Sequence, residues 1–273
     1  MKLLSLLRKN VFLTVVILFA SMSFSVVSSF AQDAPEEVAR TLIAAEDSNN
    51  VDAAMATFAE DAVVTLPTGV FDTPDAIRGW QQELADGHFR VEPVNLEVDG
   101  NTVSWTGDIS LDTFRNLGIS SMGGMWSLVI EDGLVETFDF NFTPEAFTEL
   151  QAGITAATLI GAEDSNDVDG AVAAFAEDAV VTLPTGVFDT PDAIRGWQQE
   201  LADGNFHIEP VGVAVHGNTV TWTGDIYLDA FRNMGIAAMG GIWSLVIEDG
   251  KIETFDFTFT PEAFAALAAA QPA

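Results

Sequence analysis

The chain has no cysteine and few basic residues, and each shortage excludes a kind of site or partner. Without cysteine, no disulfide, thiolate metal ligand or thiol nucleophile can form. Lys and Arg number 10 against 41 Asp and Glu, so the chain carries a net charge of −31. A surface this acidic repels phosphate groups, and we therefore expect neither nucleic acid nor an anionic membrane as a partner.

Histidine is scarce as well. His88, His207 and His216 are the three histidines, and none has a histidine at the matching position of the internal repeat described below. We interpret them as exposed strand residues, and we predict no metal site and no cofactor. The acidity itself has two interpretations, cation binding or a solvated coat suited to a salty medium. Because the acidic residues are scattered along the chain, we favour the coat.

The first 31 residues differ from the rest of the chain. Three basic residues precede an apolar run from Val11 to about Val27, and the small-residue sequence SSFA ends at Ala31. This pattern is typical of a secretory signal, and it predicts cleavage after Ala31 and a secreted or periplasmic protein that leaves the membrane. An uncleaved anchor is the alternative, although the run is shorter than the ~20 apolar residues of a spanning helix. After cleavage, seven basic residues remain and the net charge is −34.

The rest of the chain is a tandem duplication. Residues 42–147 recur at 159–264 with an offset of 117, and 84 of the 106 aligned positions are identical. Units of this length are whole domains, since solenoid repeats are about 20–50 residues long. We therefore predict a signal peptide at 1–31, domain 1 at 32–151 and domain 2 at 152–273. No Ser/Gly-rich or Pro-rich linker separates the two copies.

Each copy begins with helical signals and then changes to the period-two alternation of strands. Thr73-Pro74 is a helix start, with Thr as the cap and Pro at the first position. From Phe89 onward apolar and polar residues alternate, and Glu131-Asp132-Gly133 is typical of a hairpin turn. The predicted order is ααβαββββ, in which Asn50 caps a second helix over Val51–Ala59 and the first strand covers Ala62–Leu66. Helices followed by a strand meander predict an α+β fold, in which a curved antiparallel sheet is wrapped on helices.

Two stretches carry a resemblance to a known family. The segment NNVDAAMATFAEDAVVTLPTG and the hairpin MWSLVIEDGLVETFDF resemble the SnoaL-like, nuclear-transport-factor-2-like superfamily. The resemblance covers each copy nearly end to end. It implies a cone of curved sheet closed by helices, with a pocket inside. Members include ketosteroid isomerase, cyclases, dehydratases and binding domains without chemistry, so the resemblance alone assigns no activity.

Ketosteroid isomerase chemistry is excluded by the residues at the matching positions. That enzyme places a general base, an oxyanion-binding Tyr and a protonated Asp at three positions of the cone. The matching residues are Leu66, Leu42 and Trp126 in the first copy, and Leu183, Leu159 and Trp243 in the second. All six are apolar, and none can transfer a proton. The sequence leaves open whether the protein is an enzyme, and we favour a protein without catalytic activity.

Acids shared by both copies are the remaining catalytic candidates. Glu136 and its counterpart Glu253 share strand parity with three phenylalanines, and an acid on an aromatic face can have a raised pKa. Asp108 and its counterpart Asp225 fall on the polar face by the same alternation. The alternative for Glu136 is a solvated strand end just past the turn, which we favour.

Recurring aromatic side chains are the clearest chemical signal, because a cone lined by them favours an apolar or aromatic ligand. The predicted pocket residues are Leu66, Trp80, Trp105, Arg115, Trp126 and Phe138 in the first copy, and Leu183, Trp197, Trp222, Arg232, Trp243 and Phe255 in the second. Arg115 and Arg232 would hold a carboxylate group of the ligand at the pocket mouth, or else pair with a neighbouring Asp. The alternative for the aromatics is a filled core without a cavity.

Three hypotheses about function follow. The first is a non-catalytic pocket in each domain that binds a small apolar or aromatic molecule. The second is an acid–base lyase, isomerase or cyclase, and the third is an assembly module with filled cones. We also expect the copies to pack as an internal pseudo-dimer about a pseudo-two-fold axis. Seven of the 22 differences between copies fall in residues 88–99, compared with 205–216. This segment is either free surface or the place where the two copies contact each other.

Overall fold

The computed structural model describes residues 34–270, and the predicted signal peptide lies outside them. Repeat one begins with three helices and two strands and then forms a four-stranded meander. Its elements are α1 (Pro35–Asp47), α2 (Val51–Met55), β1 (Phe58–Leu66), β2 (Gly69–Phe71), α3 (Pro74–Asp86), β3 (Arg90–Asp99), β4 (Thr102–Ser110), α4 (Asp112–Asn116), β5 (Met122–Glu131) and β6 (Leu134–Phe142).

A single long helix then leads into repeat two, which has the same order of elements. These are α5 (Pro144–Asp164), α6 (Val168–Ala173), β7 (Phe175–Leu183), β8 (Gly186–Phe188), α7 (Pro191–Asp203), β9 (His207–His216), β10 (Thr219–Tyr227), α8 (Asp229–Asn233), β11 (Met239–Glu248), β12 (Lys251–Phe259) and α9 (Pro261–Ala270).

Each repeat has one six-stranded sheet, with strand order β2-β1-β6-β5-β4-β3 in the first and β8-β7-β12-β11-β10-β9 in the second. The β1–β6 and β7–β12 pairings are parallel and the others are antiparallel. The predicted α+β fold of two tandem copies is therefore confirmed, with one parallel pairing in each sheet that the sequence analysis did not anticipate.

The predicted helix starts are confirmed because they depend on local signals. The Thr73 side chain accepts a hydrogen bond from the Ala76 amide, at 3.3 Å, and Pro74 occupies the first turn of α3. Asn50 caps α2 in the same way. A cap satisfies one of the backbone N–H groups that have no partner at the start of a helix, which places the boundary.

Two predicted boundaries near the start of the sheet are wrong. The second helix ends at Met55 and not at Ala59, and β1 already begins at Phe58. Phe58 pairs with Val135 of β6 and packs against the rings of Trp80 and Phe138. These contacts over long sequence distances override the helical pattern of the segment. The turn after Leu66 also continues into a short strand, β2, which pairs back onto β1.

The junction between the repeats is continuous helix. The predicted domain boundary between Gln151 and Ala152 falls inside α5, so the boundary itself remains a prediction. Helix α5 packs on β5 and β6 of the first repeat and on β9, β10 and β11 of the second. One helix therefore closes the first cone and opens the second.

The two repeats also meet through a loop of one and the outer strand of the other. The Val215 amide on β9 donates to the carbonyl oxygen of Gly118 in the α4–β5 loop, at 3.1 Å. The Gly217 amide donates to the Glu149 carboxylate on α5, also at 3.1 Å. A two-fold pair would repeat such contacts in both directions. Among the described residues the reciprocal contact is not made: Gly235 has open space around it, and Val98 is 45% exposed.

Candidate functional site

Each repeat contains a cavity between its helices and its sheet. The cavity volume is about 170 Å³ in repeat one and about 230 Å³ in repeat two. The turn after β1 contributes Pro67 and Thr68, which are exposed, so one end of the cavity reaches the surface. An apolar cavity of roughly 150 Å³ is large enough to bind benzene, so each cone has room for a molecule of one or two rings.

The linings of the two cavities are the same. In repeat one they are Glu46, Leu66, Pro67, Thr68, Trp80, Leu84, Phe89, Ile109, Leu111, Phe114, Trp126, Phe138, Phe140 and Phe142. Repeat two has the identical residue at each of these 14 positions, and Glu200 in addition. None of the 22 differences between the repeats therefore touches the lining, and both cavities present the same chemistry.

Interlocked aromatic rings form most of the wall. In repeat one the ring centroids of Trp80 and Phe138 are 5.1 Å apart, and those of Trp126 and Phe140 are 5.0 Å apart. Phe140 meets Phe142 edge to face, also at 5.0 Å. Contacts of this kind fix ring orientation, because the ring edges are attracted to the neighbouring π faces. The wall offers apolar and aromatic contacts in a fixed arrangement.

The cavity contains one buried acid, Glu46, which lies in the last turn of α1. It is 5% exposed, and its Oε1 accepts a hydrogen bond of 2.7 Å from Nε2 of buried Gln81 on α3. Glu163 and Gln198 repeat this pair at 2.7 Å in the second cavity. Among the described residues the carboxyl group makes no other hydrogen bond. Its second oxygen is absent from the buried polar atoms that lack a partner, so this oxygen is accessible. That oxygen is therefore available to the cavity.

Burial sets the ionisation of this acid. Desolvation raises the pKa of Glu46 from 4.5 to about 7, and the hydrogen bond from Gln81 opposes the rise. The pKa of Glu163 is raised to about 7 for the same reasons. A neutral carboxyl group can donate a hydrogen bond to a ligand, and an ionised one can accept a proton. Both forms are therefore populated near neutral pH.

Most of the predicted pocket residues come together at the cavity. Leu66, Trp80, Trp126 and Phe138 line it in repeat one, and Leu183, Trp197, Trp243 and Phe255 line it in repeat two. Trp105 and Trp222 are buried behind the wall, stacked on Trp126 and Trp243 at 5.4 and 5.5 Å. Their indole N–H groups have no hydrogen-bond partner among the described residues. Leu42 and Leu159 are fully buried in the core.

The predicted arginines lie outside the cavity lining. The Arg115 guanidinium donates to Asp112 three residues earlier in the chain, and Arg232 donates to Asp229 at 2.7 Å. The hydrogen bond from Arg115, together with His88, lowers the pKa of the Asp112 carboxyl. These pairs lie on the protein surface. The structure therefore brings each arginine to a neighbouring carboxylate and not to the aromatic wall.

The predicted acidic candidates also lie outside the lining. A bulge in the β5–β6 pairing falls at Glu136, so Val135 and Phe138 are both buried while Glu136 is only half-buried. The bulge breaks the alternation that would put Glu136 on the aromatic face. Desolvation and the nearby Asp61 still raise its pKa, and Glu253 behaves in the same way. Asp108 is exposed.

Sequence reasoning missed Glu46 and Gln81, although a signal for both was present. Glu46 follows Leu42 and Ile43 by four and three residues, which puts it on the buried stripe of α1. Gln81 follows Ile77 by four residues on the buried stripe of α3. A polar residue on each of two apolar stripes, repeated in both copies, indicates a buried polar pair.

The part of the chain described by the structure offers no cluster of three or more metal-binding side chains. Within the same residues, no helix is long and apolar enough to cross a membrane.

Two cones, each a curved sheet closed by helices around an aromatic cavity, define a tandem α+β cone protein. The model of the SnoaL-like domain family matches residues 39–137 and 156–255. The chain therefore belongs to the SnoaL-like family and has two copies of the domain, as the resemblance predicted. No curated protein sequence matches the chain.

Several solved structures resemble one repeat. A nuclear-transport-factor-2-like protein of unknown function from Cytophaga hutchinsonii is 16% identical and covers 41% of this chain and 91% of its own length, with a TM-score of 0.35. SalBIII, an epoxide hydrolase/cyclase-like enzyme of pyran ring formation in the polyether salinomycin, is 15% identical over 41% of this chain and 92% of its own, with a TM-score of 0.38. TerC, co-crystallised with polyporic acid, is 15% identical over 43% and 98%, with a TM-score of 0.36.

Proposed function

We propose that each repeat binds one small, mainly apolar molecule of one or two rings, and that the buried carboxyl group of Glu46 or Glu163 holds a polar group of that molecule. The observation that carries this proposal is the duplicated cavity, whose 14 shared positions combine an aromatic wall with a single buried acid. Ligand pockets commonly pair an apolar lining with a few polar groups that fix the orientation of the ligand.

The volume and the chemistry of the cavity narrow the ligand class. At about 170 and 230 Å³, the cavities suit one or two rings better than a large polycyclic molecule. The free carboxyl oxygen suits a hydroxyl or carbonyl group, since the acid can both donate and accept a hydrogen bond near neutral pH. The linings are identical at the shared positions, so we expect two sites per chain with similar affinity.

Calorimetric titration with 2-naphthol, and with naphthalene as the probe that lacks the hydroxyl group, tests this proposal. We expect two 2-naphthol molecules per chain. In the variant Glu46→Gln with Glu163→Gln, the affinity for 2-naphthol should fall by about tenfold, because the hydrogen bond between the ligand hydroxyl and the buried acid is lost. Naphthalene binding should stay unchanged. The matched control is Glu60→Gln with Glu177→Gln, at exposed positions outside the lining. No binding of either probe would contradict the proposal.

Acid–base catalysis at the same carboxyl groups is a second candidate, favoured by one observation. Burial places the pKa of Glu46 and of Glu163 at about 7, where a general acid or base works best at neutral pH. The ionised carboxylate would remove a proton from a carbon next to a carbonyl group and return a proton from its own neutral form. Exchange of the acetophenone methyl protons in heavy water, followed by nuclear magnetic resonance, tests this step.

The exchange experiment separates the two sets of acidic candidates. Exchange that is lost in Glu46→Gln with Glu163→Gln, but kept in Glu136→Gln with Glu253→Gln, would support catalysis in the cavity. Loss in the second variant alone would move the chemistry to the half-buried strand position. Absence of enzyme-dependent exchange would count against the step for this class of ketone.

We propose further that the protein acts outside the cytoplasm. The support is the sequence pattern of residues 1–31, where three basic residues precede an apolar run that ends in small residues. N-terminal sequencing of protein recovered from the medium or periplasm should begin at Gln32. Protein that retains Met1 and stays with the membrane fraction would contradict it.

A further inference from the structure

The contact between the repeats uses two surfaces, and each surface occurs twice in the chain. We call residues 117–119 and 234–236 the docking loops, and residues 96–100 and 213–217 the receiving strands. Inside the chain, the docking loop of repeat one lies on the receiving strand of repeat two, where the Val215 amide donates to the Gly118 carbonyl. Among the described residues, the docking loop of repeat two and the receiving strand of repeat one do not make the equivalent hydrogen bond.

Burial shows how completely the used and unused surfaces differ. Val215 on the used strand is 5% exposed, whereas its counterpart Val98 on the unused strand is 45% exposed. Ile119 on the used loop is buried, whereas its counterpart Ile236 is half-buried. Met234, two residues before Ile236, is 40% exposed. The unused surfaces therefore expose apolar side chains, whereas the equivalent side chains are covered where the two repeats contact each other.

The backbone geometry of the unused surfaces matches that of the used ones. Gly118 and Gly235 have φ values of +84° and +80°. Val98 pairs with Val103 in the same register in which Val215 pairs with Val220, and both lie on outer strands of their sheets. The Val98 N–H therefore lies at the free edge where the Val215 N–H makes its bond to Gly118.

Charge distinguishes the two strands. The used strand has Ala214 and His216, while the unused strand has Glu97 and Asp99 at these positions. Beside the used strand, Glu149 accepts a hydrogen bond from Gly217. Its counterpart on α9 is Ala266, so repeat two does not present an acid to Asp99. The unused pair thus avoids one direct repulsion, but Glu97 and Asp99 still face a strongly acidic neighbour.

We propose that two copies of this chain dock head to tail, the loop 234–236 of one copy lying on the strand 96–100 of the next, and that Glu97 and Asp99 restrain this contact until salt screens their charge. The offset of 117 places the end of α9 and the start of α1 on the path of α5, where both helices would occupy the positions of Ala152 and Gly153. The contact therefore requires Ala269, Ala270 and the residues that follow α9 or precede α1 to leave that path. A head-to-tail contact of this kind leads to rings or open chains.

Sedimentation velocity of the purified protein tests the proposal. Between about 0.01 M and about 1 M NaCl the Debye length falls from about 30 Å to about 3 Å, which removes repulsion beyond direct contact. We expect monomers at low salt and concentration-dependent assembly at high salt. Glu97→Ala with Asp99→His, which copies the used strand, should assemble at low salt with a dissociation constant lower by about tenfold or more than that of the original protein.

A glycine substitution shows whether assembly uses this surface. A Cβ at Gly118 would lie 2.7 Å from the Val213 carbonyl oxygen, so Gly235→Asn should block the equivalent contact between chains. Asn tolerates positive φ, and Gly235 has nothing within 4 Å in its own chain, so the variant should fold. Gly250→Asn, in the β11–β12 turn at φ +73° and outside the docking loops and receiving strands, is the matched control.

Assembly that Gly235→Asn abolishes and Gly250→Asn keeps would support the proposal. If both glycine variants assemble alike, association uses another surface and the proposal is overturned. It is also overturned if the original protein and the Glu97→Ala, Asp99→His variant both remain monomeric at every salt concentration.

Discussion

The cavity linings and the outer strands of the two repeats differ sharply in how far they have diverged. None of the 14 shared lining positions differs between repeats, whereas seven of the twelve positions in 88–99 differ from 205–216. The lining meets the same surroundings in both repeats, so any change would alter one site alone. The outer strands meet different surroundings, because one is covered by the other repeat and one is exposed. The outer strands of the two repeats therefore differ in sequence, while the two cavity linings remain identical.

The largest expected effect tests the equality of the two cavities. Phe138→Ala and Phe255→Ala each remove a fully buried ring from the aromatic wall. Each variant should lower the free energy of unfolding of its repeat by about 3–5 kcal/mol, since a lost core ring costs both transfer energy and a cavity. Urea denaturation measures the loss. Losses that differ by more than about 1 kcal/mol would show that the two cones are not energetically equivalent.

A pH-dependent effect tests the buried acids. The pKa of Glu46 and of Glu163 is about 7 in the folded protein and 4.5 in the unfolded chain, so between these values the folded state holds a proton that the unfolded state releases. Stability therefore falls as pH rises through this window, by about 3 kcal/mol per site, and levels off above it. Glu46→Gln with Glu163→Gln removes this loss.

Denaturation at about pH 5 and about pH 8, on either side of the raised pKa, measures that effect. The free energy of unfolding of the double variant minus that of the original protein should be larger at about pH 8 than at about pH 5. Glu60→Gln with Glu177→Gln, at exposed positions, is the control and should show no such change. An equal pH dependence in both variants would mean that the buried acids ionise as exposed ones do.

A smaller effect compares the two outer strands directly. Val215→Ala removes apolar area that the other repeat covers, whereas Val98→Ala removes exposed area. The first should cost about 1–2 kcal/mol and the second less than about 0.5 kcal/mol. Thermal or urea unfolding of the two single variants gives the difference. Equal costs would indicate that repeat one does not cover Val215 in solution.

The smallest effect concerns a position where the repeats have different residues that bond to equivalent aspartates. The His88 ring nitrogen lies 2.7 Å from Asp112 Oδ2, and in repeat two the Asn205 side chain donates to Asp229 Oδ2 at the same distance. His88→Asn should therefore change the free energy of unfolding by less than about 0.5 kcal/mol, because one exposed hydrogen bond replaces another. A loss above about 1 kcal/mol in urea denaturation would show that the histidine has a role that Asn205 lacks.

Local signals in the sequence explain which parts of the fold were predictable. The Thr73 cap and the Glu131–Gly133 turn act within a few residues, and both elements lie where they were predicted. Phe58 was assigned to a helix because its strand partner, Val135, is distant in the sequence. The aromatic face remained an alternative for Glu136, because the bulge that turns it outward is visible only in the strand pairing.

The sequence by itself determined the tandem duplication, the α+β class, the family and three of the seven aromatic side chains that line each cavity. Repeats, caps and alternation are read over short windows. Only the tertiary structure decided that Glu46 is a buried acid beside Gln81 and that non-equivalent surfaces of the repeats meet. Desolvation depends on everything packed around a group, and a junction depends on the placement of whole sheets. Neither quantity is contained in the neighbouring residues of a segment.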